Sequence, residues 1–143
     1  MIEQINPVVD ALARAHAELH GVVQDVEQML KSSDRSRADL GAALQRLRDD
    51  WVEHVHFEEQ GGYMEAVLAK KPNLERTVRH LLAEHAAMIR ALDDVVRDAK
   101  AIAVEDASLR GKVSAWLATM RQHESKENTL VEETFSLDTG VED

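Results

Sequence analysis

With 143 residues and a mass of 16.0 kDa, the chain has the length of one domain built round a single core. Its formal charge of -10 and pI near 5.1 set its surface against nucleic acid and anionic lipid. It has no cysteine, which excludes disulfides, thiolate metal sites, iron–sulfur clusters and a cysteine nucleophile.

Two prolines, six glycines and 3% aromatics in a chain rich in Ala, Leu, Glu, Arg, Asp and Val predict an all-α protein. The start, MIEQINPVVDALARAHAELH, has neither a basic opening nor an apolar signal core. No stretch approaches the roughly 18 apolar residues of a membrane span. A cytoplasmic protein with no membrane partner and no nucleic-acid partner is the expectation; no protein partner is legible.

Apolar residues at helical spacing define four segments. The first runs from about Asn6 to Lys31 and ends in the polar SSDRS stretch. The second starts near Asp34 or Ser36 and breaks at Gly61 and Gly62, with a resumption through Met64 to Ala69. Pro72 and Asn73 open the third, which reaches about Ala101, and Asp106 or Ser108 is the expected N-cap of the fourth. The bundle is expected over about 6–134 of a single domain spanning 1–143, with an irregular tail from about Phe135.

The stripes of these segments repeat. Val9, Leu12, His16, Leu19, Val23 and Val26 in the first segment match Val78, Leu81, His85, Met88, Leu92 and Val95 in the third, always 69 positions later. Leu40, Leu44, Leu47, Trp51, His54 and Glu58 in the second match Leu109, Val113, Trp116, Met120, His123 and Glu127 in the fourth at the same offset of 69. Apolar patterns slide into phase easily; His on His twice and Glu on Glu once do not. The chain therefore reads as two copies of one helical hairpin, forming an antiparallel up-down-up-down four-helix bundle. Counting about 1.5 Å per residue from each connection puts the six polar members at one height: His16, His54, Glu58, His85, His123 and Glu127.

Four imidazoles and two carboxylates in a core need compensation, because an unpaired buried charge costs more than one side chain's packing returns. A closed His–Glu network or a water-filled cavity would supply it. A metal answers better, since neutral imidazole and ionised carboxylate are its ligands and the carboxylates offset cation charge. In each HxxxE pair the two side chains stack on one helix face about 6 Å apart along the axis, enough to serve two metals roughly 3.5–4 Å apart. Both glutamates are placed to bridge. Bundle cores are a known setting for carboxylate-bridged di-iron and di-manganese centres.

On these residues the chain resembles the hemerythrin-like (HHE cation-binding) domains, four-helix bundles with a non-haem di-iron centre. The resemblance rests on His16, on HVHFEEQGGYMEAVL with His54 and Glu58, on LLAEHAAM with His85, and on RQHESKENTLVEE with His123 and Glu127. It implies two iron ions as cofactor, ahead of manganese or zinc. Oxygen-carrying hemerythrins have HxxxH on the third helix and a His with a more distant Asp on the fourth. Here Leu81 precedes His85 by four and the fourth helix carries HxxxE, so the chain is more similar to the HHE-type members and reversible oxygen transport is not implied.

The remaining polar residues are sorted by phase. His56 lies about 200° round the helix from His54, and His80 is off its stripe; both read as surface residues. His20, one turn after His16, reads either as an additional ligand or as a boundary histidine, and Glu59 as a solvated carboxylate, one that supports a ligand, or an additional ligand itself. Trp51 and Trp116 read as core residues that also shield the site, and Tyr63 as helix-end packing or a hydrogen-bond donor to the centre. The resemblance implies binding or sensing of dioxygen, peroxide or nitric oxide at open metal positions. A peroxidase- or oxidase-type enzyme, and an iron-storage or iron-responsive regulatory protein, are the alternatives.

Overall fold

The computed structural model describes residues 6–32, 36–101 and 104–135. Among them every regular element is a helix: α1 (Pro7–Lys31), α2 (Arg37–Glu59), the short α3 (Tyr63–Lys70), α4 (Glu75–Lys100) and α5 (Asp106–Phe135). Their starts follow local chemistry. Asn6 caps α1 by accepting from the Val8 amide at 2.8 Å, with Pro7 as the first helical residue, and Ser36 caps α2 through the Asp39 amide at 3.1 Å. A turn of 3-10 helix over Pro72–Leu74 leads into α4.

Two expectations shift. Asp106 is the first residue of α5 and not its N-cap, and Phe135 closes that helix as a buried residue where an irregular tail was expected to begin. Positions 136–143, the rest of that tail, lie outside the described residues, as does Asp34. Val9, expected on the buried stripe, is only half-buried.

The four long helices form a helical bundle in which α1 packs on α2 and α5, and α4 packs on the same two. No helix is long and apolar enough to cross a membrane among the described residues. Arg37 at the start of α2 reaches the far end of α4 and donates to the carbonyls of Asp98, Ala99, Ala101 and Val104. That arginine ties the start of α2 to the last turn of α4 and the residues that follow it.

The core is in two pieces. One apolar cluster gathers Leu19, Val23, Leu47, Trp51, Met88, Trp116 and Met120 with their neighbours. The other gathers Leu12, Tyr63, Met64, Val67, Val78, Leu81, Leu130, Val131 and Phe135. On α1, α4 and α5 the histidine lies between members of the two clusters, and α2 reaches the second cluster only through Tyr63 just beyond its end, so the polar layer has hydrocarbon above and below it.

Candidate metal centre

The polar layer contains all six residues that the repeat singles out. His85 and His123 are each 1% exposed, His16 4%, His54 7%, and Glu58 and Glu127 0%. Each helix contributes from its buried stripe, and the HxxxE spacing of α2 and α5 stacks a glutamate under a histidine.

The two carboxylates lie between the four rings. Glu58 Oε2 is 2.8 Å from His54 Nε2 and 3.3 Å from His16 Nε2, while its Oε1 is 2.9 Å from His85 Nε2. Glu127 Oε1 is 3.1 Å from His16 Nε2, and its Oε2 is 3.1 Å from His123 Nε2 and 3.3 Å from His85 Nε2. The result is two overlapping groups, His16, His54, Glu58, Glu127 and Glu58, His85, His123, Glu127, in each of which one ligand atom per residue lies within 4.8 Å of the others. Both groups contain both glutamates.

Protein hydrogen bonds do not satisfy this set. His16 Nε2 donates to both carboxylates, but His54 Nε2, His123 Nε2, Glu58 Oε1 and His16 Nδ1 are buried without an aligned hydrogen-bond partner. Buried nitrogens and oxygens that crowd together without donor–acceptor alignment have the donor chemistry of a cation site. The residues present therefore fit a metal. Without one, protons do part of the work. Burial disfavours charge on His16, yet its hydrogen bonds to Glu127 and Glu58 outweigh this and raise its pKa to about 10. Burial likewise opposes the charged form of His85, and bonds to Glu127 and Glu58 raise it to about 10. His123 is raised by Glu127 in the same way, and Glu127, against its own burial, is held well below the carboxylate range by His123, His16 and His85.

Tyr63 belongs to the centre. Its hydroxyl donates to Glu127 Oε2 at 2.8 Å, and burial together with the charges of Glu127 and Glu58 pushes its pKa far up, so the phenol keeps its proton. The glycines of HVHFEEQGGY place it there. Gly61 adopts φ 77°, a left-handed conformation that ends α2, and its amide donates to Glu65 at 2.9 Å. A Cβ on Gly62 would run into the carbonyl oxygen of Phe57 and come within 2.7 Å of that of Glu58, so only glycine lets the chain turn this tightly beneath a ligand-bearing turn.

The residues left open by the sequence are now placed. Glu59 accepts from His85 Nδ1 at 2.7 Å and is a supporting carboxylate. His20 is exposed and pairs with Glu124 at 2.8 Å, outside both groups. His56 and His80 are exposed. Trp51 stacks beside His54 with ring centroids 5.4 Å apart and turns its edge toward Trp116, while the Trp116 indole donates to the Met88 carbonyl at 3.0 Å. Sequence reasoning missed Glu84, which accepts from His123 Nδ1 at 2.7 Å and from Lys126 at 2.6 Å. Its position beside His85 was visible, but its partner is on another helix. Glu124 was missed for the same reason.

No curated protein and no solved structure matches the chain. Residues 1–66, which contain His16, His54, Glu58 and Tyr63, match the model of the hemerythrin family described as the Hemerythrin HHE cation binding domain, and the two His/Glu groups are of a kind that could hold a cation.

Proposed function

We propose that the chain is a non-haem di-iron protein that binds or senses dioxygen, peroxide or nitric oxide, with His16, His54, Glu58, His85, His123 and Glu127 as its metal ligands. The observation that carries this reading is the pair of overlapping four-residue groups sharing Glu58 and Glu127. Two glutamates common to both groups would let two cations share them. Six protein side chains fall short of what two six-coordinate ions want, so the bound iron would supply oxidisable centres with positions left for a small molecule.

The chain's own residues do the rest. The histidines and glutamates would hold the cations, Trp51 and the two apolar clusters pack against the layer, and Tyr63 keeps a proton on its oxygen and directs it at Glu127. The arrangement is proposed to be a single cytoplasmic domain in an antiparallel up-down-up-down bundle. The cluster membership supports that direction: α1 and α4 run from the Leu12–Leu81 cluster toward the Trp51 cluster, α5 runs back, and α2 starts in the Trp51 cluster and leads to Tyr63 in the other.

One observation favours a second reading, peroxidase- or oxidase-type turnover: the Tyr63 hydroxyl is a proton donor already placed at the centre. Sustained consumption of peroxide or dioxygen, against a single stoichiometric reaction, separates the two. The deciding experiment is iron per chain after anaerobic reconstitution, with optical spectra in air and after reduction. About two irons with an oxygen- or nitric oxide-dependent spectrum supports the proposal; a chain that takes up no iron overturns it and makes the layer a polar network.

A further inference from the structure

The repeat that builds the centre is broken just outside it. Both histidines of the second hairpin hand their outer nitrogen to a carboxylate: His85 Nδ1 to Glu59 and His123 Nδ1 to Glu84, each at 2.7 Å. Under the offset of 69, the counterparts of Glu59 and Glu84 are Asn128 and Ala15. The first hairpin thus has no carboxylate at either equivalent position, although Glu18, Asp50 and Glu53 line the groove beside His54. Asn128 and His16 line one groove of about 280 Å³, and Ala15 and His54 line another of about 530 Å³. His16 Nδ1 is buried without a hydrogen-bond partner. The nearby Glu124 acts on His16 through space without a hydrogen bond to it: its Oε1 pairs with His20 and its Oε2 is buried without a partner.

An outer carboxylate fixes the imidazole tautomer so that Nε2 faces the metal, holds the ring in place and makes it a stronger donor. The second hairpin has this on both rings and the first is left with open grooves. We infer that the two metal positions are unequal: the His85–His123 half takes the first cation tightly, and the His16–His54 half takes the second weakly and releases it first. Glu59 and Glu84 are positioning residues that set this order. The inference rests on the proposed metal centre but not on the identity of any small ligand.

The test is anaerobic titration of the full, chelator-stripped chain with Fe²⁺, read by calorimetry and by iron retained against a competing chelator. Two steps are expected, with affinities at least about tenfold apart. Glu84→Gln, which keeps the side chain's shape and removes its charge, weakens the tight step about 10- to 100-fold and leaves the weak one in place. Asn128→Glu restores the missing carboxylate and tightens the weak step. His16→Ala retains one tight equivalent, whereas His85→Ala loses it. Circular dichroism checks each fold, and Glu59→Gln repeats the Glu84 experiment through His85 if that variant does not fold. Two equal steps, or a Glu84→Gln change confined to the weak step, would overturn the inference while leaving the di-iron reading intact. A wild-type chain that binds no iron overturns both.

Discussion

The phenol of Tyr63 and the carboxylate of Glu127, 64 positions apart in sequence, meet at 2.8 Å inside the polar layer, so the turn after α2 is part of the centre. Hydrogen bonds to an ionised acceptor contribute roughly 1.5–3 kcal/mol. Tyr63→Phe preserves the ring's packing and removes only this donor. Its expected outcome is a loss of stability in that range by urea denaturation, with iron content retained; unchanged stability would show that the bond contributes nothing.

The ligand assignment is checked by contrast between neighbours. His54→Ala and Glu127→Ala each remove a buried member of the groups, and iron is expected to fall from about two per chain to one or fewer. His56→Ala, two residues from His54 but exposed, leaves iron unchanged. Equal loss in all three variants, measured by elemental analysis, would contradict the placement of the layer.

Protons and metal compete for the same nitrogens. In the metal-free chain His16 and His85 are raised from 6.5 to about 10, so the stability they contribute is full below about 6.5 and lost as pH rises through about 10. Glu127 is shifted the other way from 4.5, so its contribution is present above that value and lost as pH falls through its lowered pKa. Denaturation midpoints of the stripped protein should therefore be highest between about pH 4.5 and 6.5 and fall toward pH 10. Iron affinity should rise over the same alkaline span, because His16 and His85 must each give up a proton to bind. Calorimetry in buffers of different ionisation enthalpy reads that release directly.

Chelation should lower the melting temperature at neutral pH, since four histidines and two carboxylates would lose the cations that best satisfy them. A stripped protein as stable as the loaded one at pH 7 would mean that the His–Glu contacts suffice.

Gly62→Ala tests the turn itself. The added Cβ meets backbone carbonyls of Phe57 and Glu58, which cannot swing away as a side chain would. A destabilisation of about 1–3 kcal/mol is expected, together with reduced iron, because one of the displaced carbonyls is that of Glu58 itself. Gly21→Ala, with open space around its Cβ, is the control and should be neutral or mildly stabilising.

Much of this protein was determined by the sequence alone. Helical periodicity assigns each residue to a face, and the shared offset of 69 carries His16, His54, Glu58, His85, His123 and Glu127 onto the buried faces at one height, where the structure brings them together. The starts near Asn6 and Ser36 and the break at Gly61 and Gly62 were legible for the same reason: they depend on local backbone chemistry. What only the tertiary structure decided is which side chains meet across helices. Glu84 lies beside His85 in the chain but serves His123, and Glu59 follows Glu58 yet turns to His85. Tyr63 reaches Glu127 through a turn whose path no periodicity describes. Those pairings depend on the rotation and spacing of packed helices, which periodicity within one helix does not encode.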